Sequence, residues 1–355
     1  MKIWISNARI WDGKSFSRGD IFMENGIIME SGIIREKTEQ VDFHYDAAGN
    51  IVSPGLVDIH THMRGISSQQ YEFPAEMACI PFGVTAAAEA SACRGSRALL
   101  DSFLVKNVVF VCTNIRENHG NLTRTEELLQ EFGDKAVGLK VFFDTSNTQL
   151  KDITPLKEIC EYAHERGLIV MVHSSNSPVP MAELLSVLEP GDILSHAYHG
   201  GKHTTADDHF ESLKKAKERG VIIDVGMAGY VHTDFGVLKS AIREGAWPDT
   251  ISTDITCSSA YKRGGIYGMT MCMSVMREAG LPGEAIFKAV TSRPAEVLGQ
   301  KSWGRLTVGE KADLAIFEYA DQGFDMADRA GNRIYSEKGY HCLLTVVDGQ
   351  IMYRR

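Results

Sequence analysis

Six polar residues, His60, His62, Lys140, His173, His196 and Asp254, each stand at the C-terminal end of an apolar, β-rich run of this 355-residue chain. The runs read IVSPGLVDIHTH, AVGLKVFF, GLIVMVH, DILSHAYH and DTISTDIT, and the intervals between the polar residues are 78, 33, 23 and 58. One strand-plus-helix unit of a (β/α)8 TIM barrel takes roughly 25 to 35 residues. The intervals therefore count as three, one, one and two units, which assigns the residues to strands one, four, five, six and eight. FGVTAAAEA, NVVFVCTN and VIIDVGMA supply strands two, three and seven. The C-terminal face of such a barrel gathers its chemistry, and imidazoles with carboxylates suit a divalent transition metal.

The segments outside the barrel have a different texture. Residues 1–50 read as short strands with Asp-Gly, Glu-Asn-Gly and Ser-Gly turns, and residues 301–355 alternate apolar and polar around Asp348-Gly349. The predicted α/β architecture is a barrel over 51–300 inserted into a small β-sandwich built from both termini. Between the strands, TRTEELLQEF, PLKEICEYAHERG, MAELLSVLEPG and HFESLKKAKERG predict helices with Gly or Pro-Gly stops. The Met-rich stretch GIYGMTMCMSVMREAG is apolar at helical spacing and is expected to pack in the core.

Composition narrows the partners. A net charge of -9 argues against nucleic acid or an anionic membrane surface, and no apolar run is long enough to span a bilayer. Seven scattered cysteines without a C-x-x-C pair read as reduced thiols, as in a cytoplasmic protein. A small-molecule substrate is the remaining expectation.

His60 and His62 are two apart, so both side chains lie on one face of their strand and can grip one ion. Lys140 is the unusual member, because an ammonium cannot ligate a cation. Burial lowers a lysine pKa, and a free amine can take up carbon dioxide to become a carbamate, in effect a bridging carboxylate. His173 and His196 suit a second ion. The other histidines, His44, His119, His164, His203, His209, His232 and His341, fall outside this pattern and read as surface or structural.

With PGLVDIHTH, the lysine, two histidines and the aspartate in order, and SRPAEVLGQKSWGRLTVGEKADLAIF closing the barrel, the whole chain resembles the amidohydrolase superfamily in its two-metal, carboxylated-lysine form. That resemblance implies two divalent ions, zinc first and manganese, iron or cobalt as alternatives. It also implies carbon dioxide bound as N6-carboxylation of Lys140, and a shared hydroxide that attacks a carbonyl. Asp254 is then both ligand and catalytic base, and a homo-oligomer is compatible with the family's habits. SHAYHGG looks closer to a dihydroorotase-like subgroup that includes deacetylases of N-acetyl amino acids and related acetyl esters.

Within that resemblance, Arg64 is the expected grip on a substrate carboxylate, with His199, Asn176 and Tyr198 as further substrate contacts. A cyclic amidohydrolase of the dihydroorotase or hydantoinase kind is the alternative. Against dihydroorotase itself, AAAEASAC lacks the asparagine expected after strand two, and STDITCSS stands where Asp-His-Ala-Pro is expected. Adenine deamination is disfavoured because Ser174, Ser175 and Asn176 follow His173 without the glutamate of an H-x-x-E arrangement. A catalytically silent scaffold normally has replaced ligands, and all six stand here.

Overall fold

The computed structural model describes residues 1–33, 40–113, 122–145, 150, 152–228, 231–260 and 267–355. His119 lies outside the described residues, as does the start of the Met-rich stretch. Five strands open the chain: β1 (Lys2–Trp11), β2 (Phe16–Glu24), β3 (Ile27–Gly32), β4 (Phe43–Asp46) and β5 (Ile51–Pro54). Seven parallel strands follow, namely β6 (Leu56–Thr61), β7 (Val84–Ala92), β8 (Lys106–Thr113), β9 (Ala136–Phe142), β10 (Ile169–His173), β11 (Ile193–Ser195) and β12 (Ile222–Ile223). Three more, β13 (Leu314–Ala327), β14 (Arg333–Val347) and β15 (Gln350–Arg354), return to the first group.

The terminal strands form one mixed eight-stranded sheet in the order β15-β14-β13-β5-β1-β2-β3, with β4 also paired to β1. Their alternation buries Ile3, Ile5, Ile21, Val52, Leu314, Ile316 and Val346 in a cluster of their own. The expected sandwich is thus realised as a continuous hydrogen-bonded sheet, joined where β5 pairs with both β1 and β13. Asp348 and Gly349 both take positive φ, 48° and 78°, as the two-residue turn between β14 and β15 requires.

The parallel strands run in chain order from β6 to β12 and curl as a barrel wall. The eighth segment, expected as a strand over DTISTDIT, pairs only through isolated parallel bridges, Asp224↔Thr250 and Thr61↔Ile255. It still closes the gap. Met227 N and Ala228 N donate to Ser252 O and Thr253 O on one side, and Asp254 N donates to His60 O on the other. Side chains do the rest. Buried Asp58 accepts from Thr253 N at 3.2 Å and Thr253 Oγ1 at 2.6 Å, and buried Asp224 accepts from Thr250 Oγ1 at 2.7 Å and Ser252 Oγ at 2.8 Å. Regular pairing stops because Asp254 sits at φ 47°, a left-handed conformation that no extended ladder continues.

Helices predicted between the strands form over Thr123–Phe132, Thr154–His164, Met181–Ser186 and Glu211–Glu218. Met269, Met273 and Met276 of the helix Met269–Glu278 are buried in the main apolar core, as expected of a packing stripe. No helix among the described residues is long and apolar enough to cross a membrane. All seven cysteines are free.

Candidate metal centre

All six sequence-selected ligand positions are buried and converge where β6, β9, β10 and β11 end beside the closing segment. His62 Nε2 lies 2.8 Å and His60 Nε2 3.3 Å from Asp254 Oδ1. Lys140 Nζ, with 0% exposure, lies 3.3 Å from His60 Nε2. The His173 and His196 rings are 4.4 Å apart, and His196 is 5.2 Å from the His60 ring. The ligand atoms fall into two clusters, His60 with His62 and Asp254, and His173 with His196 and His232, each spanning under 4.8 Å.

Hydrogen bonds fix which ring nitrogens face the cluster. Ser195 Oγ donates its proton to Asp224 Oδ2 at 3.1 Å, so at 2.8 Å it accepts from His60 Nδ1. His60 Nε2 is then the lone-pair side. Gly226 O, which can only accept, takes the His196 Nδ1 proton at 2.7 Å and leaves His196 Nε2 as the lone-pair side too. Gly226 has φ 49°, and a Cβ there would meet His196 Nδ1 at 2.6 Å, so only glycine lets this carbonyl reach the ring. His62 Nδ1 is held by Ser67 Oγ at 3.0 Å and Ser91 Oγ at 3.1 Å, with Glu89 Oε1 at 3.7 Å. Such outer partners orient metal-binding imidazoles and raise their basicity.

Electrostatics sets His62 apart from the other histidines of the two clusters. Burial and the neighbouring Lys140 charge push His60 down to about 4. Burial opposes the charge on His62 as well, but the Asp254 and Glu89 carboxylates prevail and raise it to about 9. Asp254 overcomes its own burial because His60 and His62 hold it below the usual carboxylate range. Burial drives Lys140 down to about 8, and lowers His173 and His196 into the neutral form a ligand needs. The residues fit a divalent cation on one direct observation: His196 Nε2 is buried without a hydrogen-bond partner among the described residues, and beside it His173 Nε2 is buried facing Asp144 Oδ2 at 3.3 Å.

The cluster floors a cavity of about 570 Å³ whose wall includes Tyr71, Phe142, Asp144, Asn176, His199 and Arg329. Two expected substrate contacts line it. His199 Nδ1 accepts from Gly201 N at 3.1 Å, so its Nε2 carries the proton, and that Nε2 is buried without a partner among the described residues. Asn176 Oδ1 accepts from Lys202 N at 3.2 Å, and a Cβ on Gly201 would lie 2.4 Å from that oxygen, so the amide holds the Gly-rich loop against the cavity.

The other two expected contacts lie elsewhere. Arg64 is exposed and outside the cavity wall, since β6 ends at Thr61 and the chain turns away through Phe73 N to His62 O and Arg64 N to Phe73 O. Tyr198 is fully buried, its hydroxyl donating to Ala246 O at 2.9 Å.

His232, read from the sequence as surface or structural, stands in the site instead. Its ring is 4.1 Å from His196 and 4.8 Å from His173, Nε2 is 3.7 Å from Asp254 Oδ2, and Nδ1 is 2.9 Å from Ser175 Oγ. It follows β12 by nine residues, beyond the strand-end position that marked the others. The VHTDF segment offered one signal: a histidine beyond a barrel strand whose own end carries no ligand.

A parallel barrel wall with one imidazole-carboxylate cluster and one all-imidazole cluster at its C-terminal rim defines a metal-dependent hydrolase. Residues 51–352 match the amidohydrolase family, and the chain belongs to it, as a hydrolase of carbon-nitrogen bonds. A deacetylase of Enterococcus faecalis is 28% identical over 324 residues, covering 85% of this chain and 87% of that protein. Among solved structures, a dihydroorotase superposes with a TM-score of 0.86 at 24% identity over 99% of this chain and 98% of its own. An adenine deaminase gives 0.85 at 22% identity over 99% of each.

Proposed function

We propose that this chain hydrolyses the amide of a small carboxylate-bearing N-acyl amino acid, most readily an N-acetyl amino acid or a related acetyl ester. The observation that carries the reading is the pair of ligand clusters beside a fully buried lysine amine, Lys140 Nζ at 3.3 Å from His60 Nε2. In this reading His60, His62 and Asp254 would hold one divalent ion and His173 and His196 the other, with N6-carboxylated Lys140 as an anionic ligand between the clusters. Zinc best matches an imidazole-rich set, with manganese, iron and cobalt also suited. When bound, the ions supply an acidified water and a Lewis acid for the carbonyl.

The chain's own groups complete the chemistry. Asp254, faced by His62 and His232, is placed to receive a proton at a carboxylate oxygen and return it to the leaving nitrogen. His199 Nε2–H offers a neutral donor to the substrate from the cavity wall. The deacetylase relatives support acyl transfer to water over ring opening, and the position of Arg64 outside the cavity removes the grip expected of a dihydroorotase.

The test is a hydrolysis screen of the zinc- or manganese-loaded protein with bicarbonate, against N-acetyl-D- and L-amino acids, acetyl esters, dihydroorotate and hydantoins. An Asp254→Asn control runs alongside. Turnover of acetylated compounds that the control lacks is the expected result. Turnover confined to cyclic amides would sink the reading.

A further inference from the structure

The cavity is shared between the two sheets of the molecule. Barrel loops make most of its wall, but Arg329 and Ala330 come from the tip of the β13–β14 hairpin, which belongs to the terminal sheet. That tip is anchored to the barrel. Asp328 is buried, and its carboxylate accepts from Asn332 N and Asn332 Nδ2 within the turn and from Phe235 N of the barrel, each at 2.8 Å. Asp328 N donates to Asn332 O at 2.9 Å, and Gly331 at φ 90° makes the turn. Phe235 begins the helix Phe235–Arg243, whose N-cap Asp234 is itself part of the cavity wall.

The backbone of Arg329 is thus pinned beside the cavity by a buried carboxylate, and the residue is exposed while lining the cavity. Among the described residues it is the only lysine or arginine that lines the cavity, and among them no carboxylate lies within ion-pairing distance of it. The acids nearby are engaged. Asp254 faces His62, Asp144 lies 3.3 Å from His173 Nε2, and Asp234 accepts from Gly236 N and Val237 N as a helix cap. An arginine at a cavity wall without a carboxylate partner among the described residues can present its planar fork to an anion, and a carboxylate is the anion that fork matches.

We propose that Arg329 binds the substrate's carboxylate, so that the terminal sheet supplies the specificity-determining cation of the barrel site and Arg64 does not. This inference rests on the functional reading above, in that it requires an anionic amide as substrate. The experiment compares metal-loaded wild type, Arg329→Met, Arg329→Lys and Arg64→Met. Each is assayed on the best carboxylate-bearing substrate of the screen and on the corresponding neutral carboxamide.

Arg329→Met should raise KM for the acid by about 10- to 100-fold, the range of a lost charge-assisted hydrogen bond, with a smaller change in kcat. KM for the carboxamide should stay within about twofold of wild type. Arg329→Lys should recover part of the loss, and Arg64→Met should change neither. Equal effects of Arg329→Met on acid and carboxamide, no effect on either, or wild-type turnover of neutral amides alone would overturn the inference. Turnover of dihydroorotate but no N-acyl amino acid would overturn the functional reading while leaving Arg329 to be judged on dihydroorotate.

Discussion

Lys140 Nζ lies 3.3 Å from His60 Nε2, with neither side chain open to solvent by more than 1%. A primary amine so deeply buried is costly as an ammonium and needs another form to justify its place. Converted to a carbamate, it gives two imidazole clusters a common anion. Native mass spectrometry of metal-loaded protein in bicarbonate should therefore show the added mass of one carbon dioxide, absent in Lys140→Ala. That variant should lose activity by on the order of 10³-fold, a Lewis acid being worth several kcal/mol. Partial recovery with a small carboxylic acid would confirm the role.

Ser195 transmits the buried Asp224 carboxylate to His60, accepting from Nδ1 at 2.8 Å while donating to Asp224 at 3.1 Å. Ser195→Ala frees the ring to turn and to change tautomer. Metal affinity, read by chelator competition, should fall by roughly 10- to 100-fold. At saturating metal kcat should largely return, because no reacting atom has been removed.

These relationships show what was legible in the sequence. His60, Lys140, His173 and His196 each follow an apolar run, so strand ends and ligands were found together. Arg64 was misplaced by extending the two-residue alternation past Thr61, where the strand stops. Tyr198, expected only from the resemblance, turns into the core because β11 ends at Ser195 and His196 takes φ 61°, which redirects the chain there. His232 and Arg329 reach the site through the path of a loop and the docking of a hairpin, and neither leaves a periodic trace. The eighth segment reads as a strand, and nothing in its pattern showed that its regular ladder gives way to bonds from the Asp58 and Asp224 side chains and ends at the left-handed Asp254.

His232 should act with Asp254 rather than as an indispensable ligand. Its Nε2 is 3.7 Å from Asp254 Oδ2, and burial lowers it to about 3, so at working pH it stands beside that carboxylate as a neutral imidazole that orients it without taking its proton. His232→Ala should cut kcat by roughly 10²-fold, the lower range for the acid-base step that Asp254 performs. Metal content by elemental analysis should match wild type. Loss of one ion in the variant would make His232 a ligand instead.

Acid should loosen the segment that follows His62. Glu72 lies below its ordinary value of 4.5 because its carboxylate accepts from Gly65 N and pairs with Arg94, against a smaller effect of burial. A depressed carboxyl contributes stability above 4.5 that is lost as pH falls through the lower folded value. Amide exchange at Gly65, corrected for the intrinsic pH dependence, should lose protection below about pH 4.5. In Glu72→Gln that step should be missing, with low protection at every pH.

Tyr198 separates a packing role from a substrate role. Its ring is buried in the core and its hydroxyl donates to Ala246 O at 2.9 Å. Removing the hydroxyl leaves that carbonyl without its donor inside the protein, a cost of about 1–3 kcal/mol. Tyr198→Phe should therefore unfold at lower denaturant concentration with an unchanged slope. Because the hydroxyl is directed away from the cavity wall, KM for the substrate should remain at the wild-type value. A raised KM at unaltered stability would place the tyrosine in the binding site after all, and would require the loop after His196 to rearrange when substrate binds.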